Sequence, residues 1–257
     1  MQLGLQTFTV RKEQKKDFER AYLPLVHMGI SHLELARMDF TRENAQRVRA
    51  LAEQHGIRPV AIQVKPKYVF GDVDGIVDFC RITGCSRVVI SMLPFSAILG
   101  REEVFYSFID RLDAQYEIYR ERGITLAYHH HNWEYIKLSC GKTRMQELLD
   151  RTEKIKFVND TYWTARSGIH PARQIEAFGS RLLGVHLRDL AFRKRLLDVV
   201  AHDTTLGDGV IDLPAVLRAL ETSGCEYLVI EQNSKNPYQD IERSYRYMQS
   251  LMAQDEA

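Results

Sequence analysis

Eight short runs rich in β-branched and aromatic residues alternate with segments of helical period, and this alternation restricts the fold more than any single motif. The strand-like runs are Leu3–Phe8, His32–Ala36, Pro59–Val64, Arg87–Met92, Thr125–His130, Ile155–Asn159, Leu182–Leu187 and Tyr227–Glu231. Between and after them, apolar spacing predicts helices over about 13–28, 41–55, 72–83, 101–122, 142–153, 171–179, 212–223 and 238–253. Strict alternation implies parallel strands joined by right-handed crossovers, and eight such units close on themselves as a (β/α)8 TIM barrel. A chain of 257 residues with 45% hydrophobic content suits one barrel domain spanning 1–257. Thr41 and Asp212 read as helix N-caps, and Gly56, Gly84, Gly123 and Gly224 as C-terminal stops. No GxGxxG or GxxxxGK[ST] loop follows a strand, which weakens the rival of an open nucleotide-binding sheet. The one long connection, Asp189 to Val210, reads as irregular and as a lid or substrate loop.

A barrel of this kind carries its chemistry at the carboxyl ends of the strands. Those ends present Glu34, Lys65, His129 and His131, Asp160, His186 and Glu231. Asp160, His186 and Glu231 come from three consecutive strands. With a fourth ligand from the fifth strand they suit a hard or borderline divalent cation, with Mn, Mg, Co and Zn all open. Taken singly, each has a plainer reading: Asp160 as a helix cap, His186 as a core histidine, Glu231 as the partner of an arginine. Their shared position favours one site.

Lys+Arg of 35 against Asp+Glu of 34 provides no field for nucleic acid or an anionic membrane, so a small neutral or mildly anionic ligand fits better. Cys80, Cys85, Cys140 and Cys225 form no CxxC pair and read as reduced thiols of a cytoplasmic protein. No apolar stretch suggests a signal peptide or a membrane span, so a soluble, untargeted chain is expected, with a homo-oligomer left open.

Several motifs in order along the chain carry a family resemblance. "LGLQTFTVR" resembles an opening strand, "LAYHHHNWEY" a YHNHxxEF segment, and "NDTYWTARSGIHPARQI" a DTYWxxxxGxDP segment. "GVHLRDL" resembles a VHLKD strand, "LGDGVIDLPAVLRAL" a GEGxxDW helix start, and "LVIEQN" a VEQD strand. Together they resemble the sugar phosphate isomerase/epimerase family of xylose isomerase-like barrels, in its YHNHxxEF branch. The resemblance implies a metal held by Asp160, His186 and Glu231 with Glu134 as fourth ligand, His129 being the alternative. It also implies isomerisation or epimerisation of a keto-sugar or related polyol through a metal-stabilised enediolate. Arg188 stands where the family has Lys, His130 where it has Asn, and Asn233 where it has Asp.

The run His129-His130-His131 acquires a reading from strand alternation. With Ala127 facing the barrel interior, His129 and His131 share the inward side, while Leu126, Tyr128 and His130 face the helices. The resemblance implies Glu231 as a catalytic base, with Glu134 or a histidine, His131 or His129, acting opposite it. A histidine acid/base makes β-elimination on a keto-inositol or 3-keto-glycoside, a lyase reaction, as natural as epimerisation. Glu34, Lys65, Arg188 and Trp163 are the substrate-contact candidates. A nuclease of the abasic-site type and a non-catalytic sugar-binding protein are more remote expectations.

Overall fold

In the computed structural model, which describes residues 3–196 and 198–255, the barrel strands are β1 (Leu3–Gln6), β2 (His32–Leu35), β3 (Arg58–Val64), β4 (Arg87–Ile90), β5 (Thr125–His129), β6 (Lys156–Asp160), β7 (Leu182–Leu187) and β10 (Tyr227–Ile230). Every neighbouring pair is parallel, and β1 pairs with both β2 and β10, closing the sheet. The (β/α)8 barrel expected from the alternation is therefore what the chain forms.

Alternation along each strand sorts the side chains. Ala61, Val89, Ala127, Val158, Leu183, Tyr227 and Val229 fill the barrel interior. Their neighbours Ile62, Val88, Leu126, Tyr128, Phe157 and Leu228 join the larger core between strands and helices. Tyr227 is the bulky member of the inner set, and its ring needs the missing side chain of Gly184 across the ladder. A Cβ there would fall 2.4 Å from the Tyr227 ring. Two register shifts, at Leu33/Glu34 and at Phe157/Val158, sit just before Glu34 and Val158, both of which turn into the barrel interior. Such irregularities re-aim the side chains that follow.

The caps behave as the sequence implies. Thr41 Oγ1 accepts from the Asn44 N–H (3.3 Å) and Asp212 Oδ1 from the Ala215 N–H (2.9 Å). Gly56 and Gly84 end their helices at φ 70° and 73°, where a Cβ would be disfavoured. Gly224 differs: its helix stops at Leu220, and the glycine instead lets the chain pass close to the Ser180 carbonyl.

Three expectations need correction. The helix expected over 13–28 is two, Arg11–Lys16 and Leu23–His27, because Asp17 turns its carboxylate onto the Glu19 and Arg20 N–H groups and Pro24 starts a new turn. The helix expected over 101–122 is Glu102–Ile109 followed by Leu112–Arg120. At the break Asp110 faces Arg151, and the next acidic residue, Asp113, accepts the N–H groups of Glu153, Lys154 and Ile155, which tie the second helix to β6. The connection from Asp189 to Val210 contains an antiparallel hairpin, β8 (Asp189–Arg195) with β9 (Asp198–Thr204), paired from Asp189↔Thr204 to Arg195↔Asp198. Its turn holds Leu196 at φ 46° and carries no Asn-Gly or Gly-Gly signal, so the charged run hid the strands. Among the described residues no helix is long and apolar enough to cross a membrane.

Candidate metal centre

His129 ends β5, Asp160 ends β6, His186 lies one residue from the end of β7, and Glu231 follows β10 directly. Four neighbouring strands thus deliver one side chain each to the mouth of the barrel. One potential ligand atom from each of the four lies within 4.8 Å of all the others, and all four residues are buried. Asp160 pairs with His186 in the ladder, which places them side by side.

The hydrogen-bond pattern leaves nitrogen lone pairs aimed at this cluster. Glu34 Oε1 accepts from His186 Nε2 (2.9 Å), and the Tyr227 hydroxyl donates to Glu34 Oε2 (2.7 Å). A carboxylate can only accept here, so His186 carries its proton on Nε2 and turns Nδ1 to the cluster. That Nδ1 lies 2.9 Å from Glu231 Oε2 without the alignment of a hydrogen bond. Neither nitrogen of His129 has a hydrogen-bond partner, although Nε2 is 3.5 Å from Asp160 Oδ2. Buried imidazole nitrogens without partners are costly unless something else satisfies them.

Charge points the same way. The carboxylates of Glu34, Asp160, Glu231 and Asp203 converge in this buried region, and Arg188 is the guanidinium among them, its Nη1 3.3 Å from Asp160 and 3.2 Å from Glu231. Its Nη2 donates to Asp203, which also accepts from the Asn233 N–H (3.0 Å). Burial would raise the Asp160 and Glu231 carboxyls, but Arg188 together with the neighbouring histidines, His129 and His186 for Asp160 and His186 for Glu231, holds both below the usual range. Burial likewise works to lower His186, while Glu34 and Glu231 carry it up to about 10, so the ring readily takes a second proton on Nδ1, the position for which a cation would compete. Among protein groups alone the site therefore attracts positive charge, and two imidazoles with two carboxylates are a donor set for a divalent cation. The residues present fit such an ion.

The plainer single-residue readings also hold in part. Asp160 Oδ1 does cap the helix Thr161–Arg166 through the Trp163 N–H (2.9 Å), and Glu231 does meet an arginine. In each case the second carboxylate oxygen or face remains turned to the cluster.

Glu134 is not in this group. It is buried on a 3-10 turn, Asn132–Tyr135, where Oε2 accepts from the His131 N–H (2.7 Å) and Oε1 from the Tyr128 hydroxyl. Tyr128 belongs to the outer face of the strand, so the carboxylate is drawn behind the wall and His129 stands in the position expected of Glu134. Burial pushes Glu134 up to about 7, against the pull of those two donors. Its folded value exceeds the unfolded one, so its contribution to stability is full below about 4.5 and is lost as pH rises through about 7. Glu134→Gln, neutral at every pH, should therefore gain stability relative to wild type between pH 5 and pH 8, by on the order of 2 kcal/mol. Thermal melts of both proteins across that range check this.

The histidine run resolves as alternation implies. His129 joins the cluster, and His130 lies on the outer face near Phe178, its Nε2 accepting the Asp160 N–H (3.2 Å). Burial lowers His130 to about 4, so the ring is neutral and free to accept. His131 faces the cavity with Nδ1 unpartnered, its ring stacked on Trp133 (4.6 Å) and tilted against Trp163 (5.4 Å). Burial holds it well below the ordinary histidine value.

Above the cluster opens a cavity of about 730 Å³ lined by Lys65, His129, His131, Trp163, Arg188 and Glu231 among others. Of the substrate-contact candidates, Lys65, Arg188 and Trp163 reach it. Glu34 does not: it is fully buried beneath the site between His186 and Tyr227 and accepts a hydrogen bond from each. Sequence reasoning missed Tyr227 and Asp203. An inward tyrosine facing a ladder glycine is the signal that would have found the first.

Comparisons with known proteins agree with this architecture. An inosose dehydratase of Geobacillus thermodenitrificans is 27% identical over 163 residues, covering 57% of this chain and 54% of the relative. One from Lacticaseibacillus casei is 23% identical over 151 residues, 52% of this chain and 50% of the relative. The chain spans about half the length of these curated relatives. Among solved structures, a sugar phosphate isomerase/epimerase from Parabacteroides distasonis superposes with TM-score 0.77 at 18% identity, covering 96% of this chain and 93% of the other. The zinc-bound IolI protein does so with TM-score 0.71 at 17% identity over 99% of both chains. At such identities the superpositions speak for the fold. Residues 24–251 match the family described as xylose isomerase-like TIM barrel, and the chain belongs to that family.

Proposed function

We propose that the protein is a divalent-metal-dependent enzyme that removes a proton beside the carbonyl of a keto-sugar or related polyol. The observation that carries this reading is the four-residue cluster with its unpartnered imidazole nitrogens, set under a cavity that His131 also faces. His129, Asp160, His186 and Glu231 would hold the ion. Mixed nitrogen and oxygen donors favour Mn, Co or Zn over Mg. The ion supplies Lewis-acid polarisation of the carbonyl and its neighbouring hydroxyl, making the adjoining C–H acidic.

The rest is work for the chain's own groups. Glu231 and the pair His129 and His131 stand at the two ends of the arc formed by β10, β7, β6 and β5. Arg188 keeps Glu231 ionised, so it can accept a proton from substrate carbon. His131, neutral and without a hydrogen-bond partner on Nδ1, exchanges a proton from the other end. Trp133 and Trp163 flank it with flat apolar surface of the kind that packs on a sugar ring. Proton return to carbon or to the carbonyl oxygen yields an epimer or an isomer.

One observation favours a second outcome at the same site. With Glu134 turned away, a histidine takes the place of a second glutamate, and that imidazole, having accepted the proton from substrate carbon, can pass it to a departing hydroxyl or glycosidic oxygen as the C–O bond breaks and the C=C bond forms. That is a dehydration or lyase reaction, in keeping with relatives named inosose dehydratases. Incubating the metal-loaded protein with keto-sugars, keto-inositols and 3-keto-glycosides in deuterium oxide separates these outcomes. Deuterium at the carbon beside the carbonyl supports the shared proton step, enone absorbance marks elimination, and no exchange with any of them refutes the reading.

Glu34 and Tyr227 act through His186. Glu34→Gln is expected to weaken metal affinity by about 10- to 100-fold, the usual cost of losing a carboxylate behind a metal-binding histidine. Tyr227→Phe, which removes one donor to that carboxylate, should have a smaller effect in the same direction. Competition titration against a chromogenic chelator measures both.

A further inference from the structure

We propose that an apolar groove beside the metal cavity receives the non-sugar part of the substrate, an aromatic group carrying an anionic oxygen; this rests on the proposed sugar chemistry. The groove has a volume of about 500 Å³ and lies over the ends of β3 and β4. Lys65 and Met92 line both it and the larger cavity, so the two spaces adjoin across those side chains. A six-carbon ring seated at the cluster cannot fill the larger cavity's 730 Å³, and the way out toward β3 and β4 passes Met92. A substrate longer than one sugar would continue into the groove.

What lines the groove selects what enters it. Phe70, Leu93, Phe95 and Phe108 form its apolar walls. Phe95 is 69% exposed, a flat ring standing free at the rim. Its charged lining residues, Lys65, Lys67 and Arg111, are all cationic, and no acidic side chain is among the described residues that line it. Arg111 lies 4.5 Å from the centre of the Phe70 ring, so positive charge is held directly against the apolar wall. A purely apolar guest would leave those cations unused, and a polar one would waste the rings. An aryl carboxylate or phenolate uses both, and attached to a sugar it spans the two spaces at once.

Binding of 2-naphthoate and of neutral 2-naphthylmethanol, followed by calorimetry, tests the groove without any turnover. Wild type should bind naphthoate at least tenfold more tightly than the alcohol, and Phe95→Asp and Lys67→Glu should each weaken naphthoate at least tenfold. Metal content, measured alongside, reports on the other site. In the second arm, a 3-keto-glucoside bearing a para-carboxyphenyl group should show a KM at least tenfold below that of the methyl glycoside, and the ratio should collapse toward one in both variants. Naphthoate binding unaltered by both substitutions, or equal KM values for the two glycosides in wild type, would overturn the proposal. If naphthoate binds as expected but neither glycoside exchanges a proton, the sugar reading fails and the groove is a site for a free aromatic acid, which also overturns the shared substrate.

Discussion

His186→Ala and Asp160→Ala are each expected to purify without stoichiometric divalent metal and to exchange substrate protons at least about 10³-fold more slowly than wild type. Both side chains are wholly buried and contribute to the group of four. Removing His186 deletes a nitrogen ligand and strands the Glu34 carboxylate, which would keep Tyr227 as its remaining side-chain partner. Removing Asp160 leaves Arg188 with Glu231 and Asp203, a redistribution that pulls Glu231 away from the cluster. Elemental analysis and a deuterium-exchange assay read the two losses together. Circular dichroism separates them from misfolding, because neither residue belongs to the apolar core.

Asp189→Ala should carry the largest cost in stability. Its carboxylate is buried at the base of the hairpin and accepts the backbone N–H groups of Leu190 (2.8 Å), Gly207 (3.0 Å), Gly209 (3.0 Å) and Ile211 (3.1 Å). The chain returning from β9 is wound around this one side chain so tightly that a Cβ on Gly209 would fall 2.2 Å from its oxygen. Alanine removes the charged acceptor from all four donors, one bond buried and three part-buried, and at about 1 kcal/mol for each bond lost the expected loss is about 4 kcal/mol. Asparagine keeps one acceptor oxygen and should lose less. Urea denaturation of the three proteins measures the order. Because the hairpin presents Asp203 to Arg188, Asp189→Ala should also loosen Arg188 and raise KM beyond any effect on metal content.

Much of this molecule can be read before it is folded. The barrel follows from alternation and from local chemistry such as the Thr41 cap and the left-handed Gly56, and the inward set follows once Ala127 fixes the phase of β5. Asp160, His186 and Glu231 fall at strand ends, the one place where polar groups from separate segments must meet. What escaped depends on contacts between distant segments. The hairpin is held by cross-strand pairing, and its own residues carry no turn signal. Strand position says which way Glu34 points and not how deep it lies, so its full burial is not legible in the sequence. Glu134 lies off the cluster for a local reason that is legible: it stands three residues after His131, the spacing at which a glutamate folds back onto the N–H that opens a helical turn.

The proposed chemistry depends on which side chains hold the ion. Anomalous diffraction at the absorption edge of the bound metal, from crystals of protein reconstituted with Mn or Zn, locates it directly. The expected result is one strong peak bounded by His129, Asp160, His186 and Glu231, with Glu134 still bonded to Tyr128 and the His131 N–H. A peak ligated by Glu134, or no peak in this cluster after reconstitution, would contradict it.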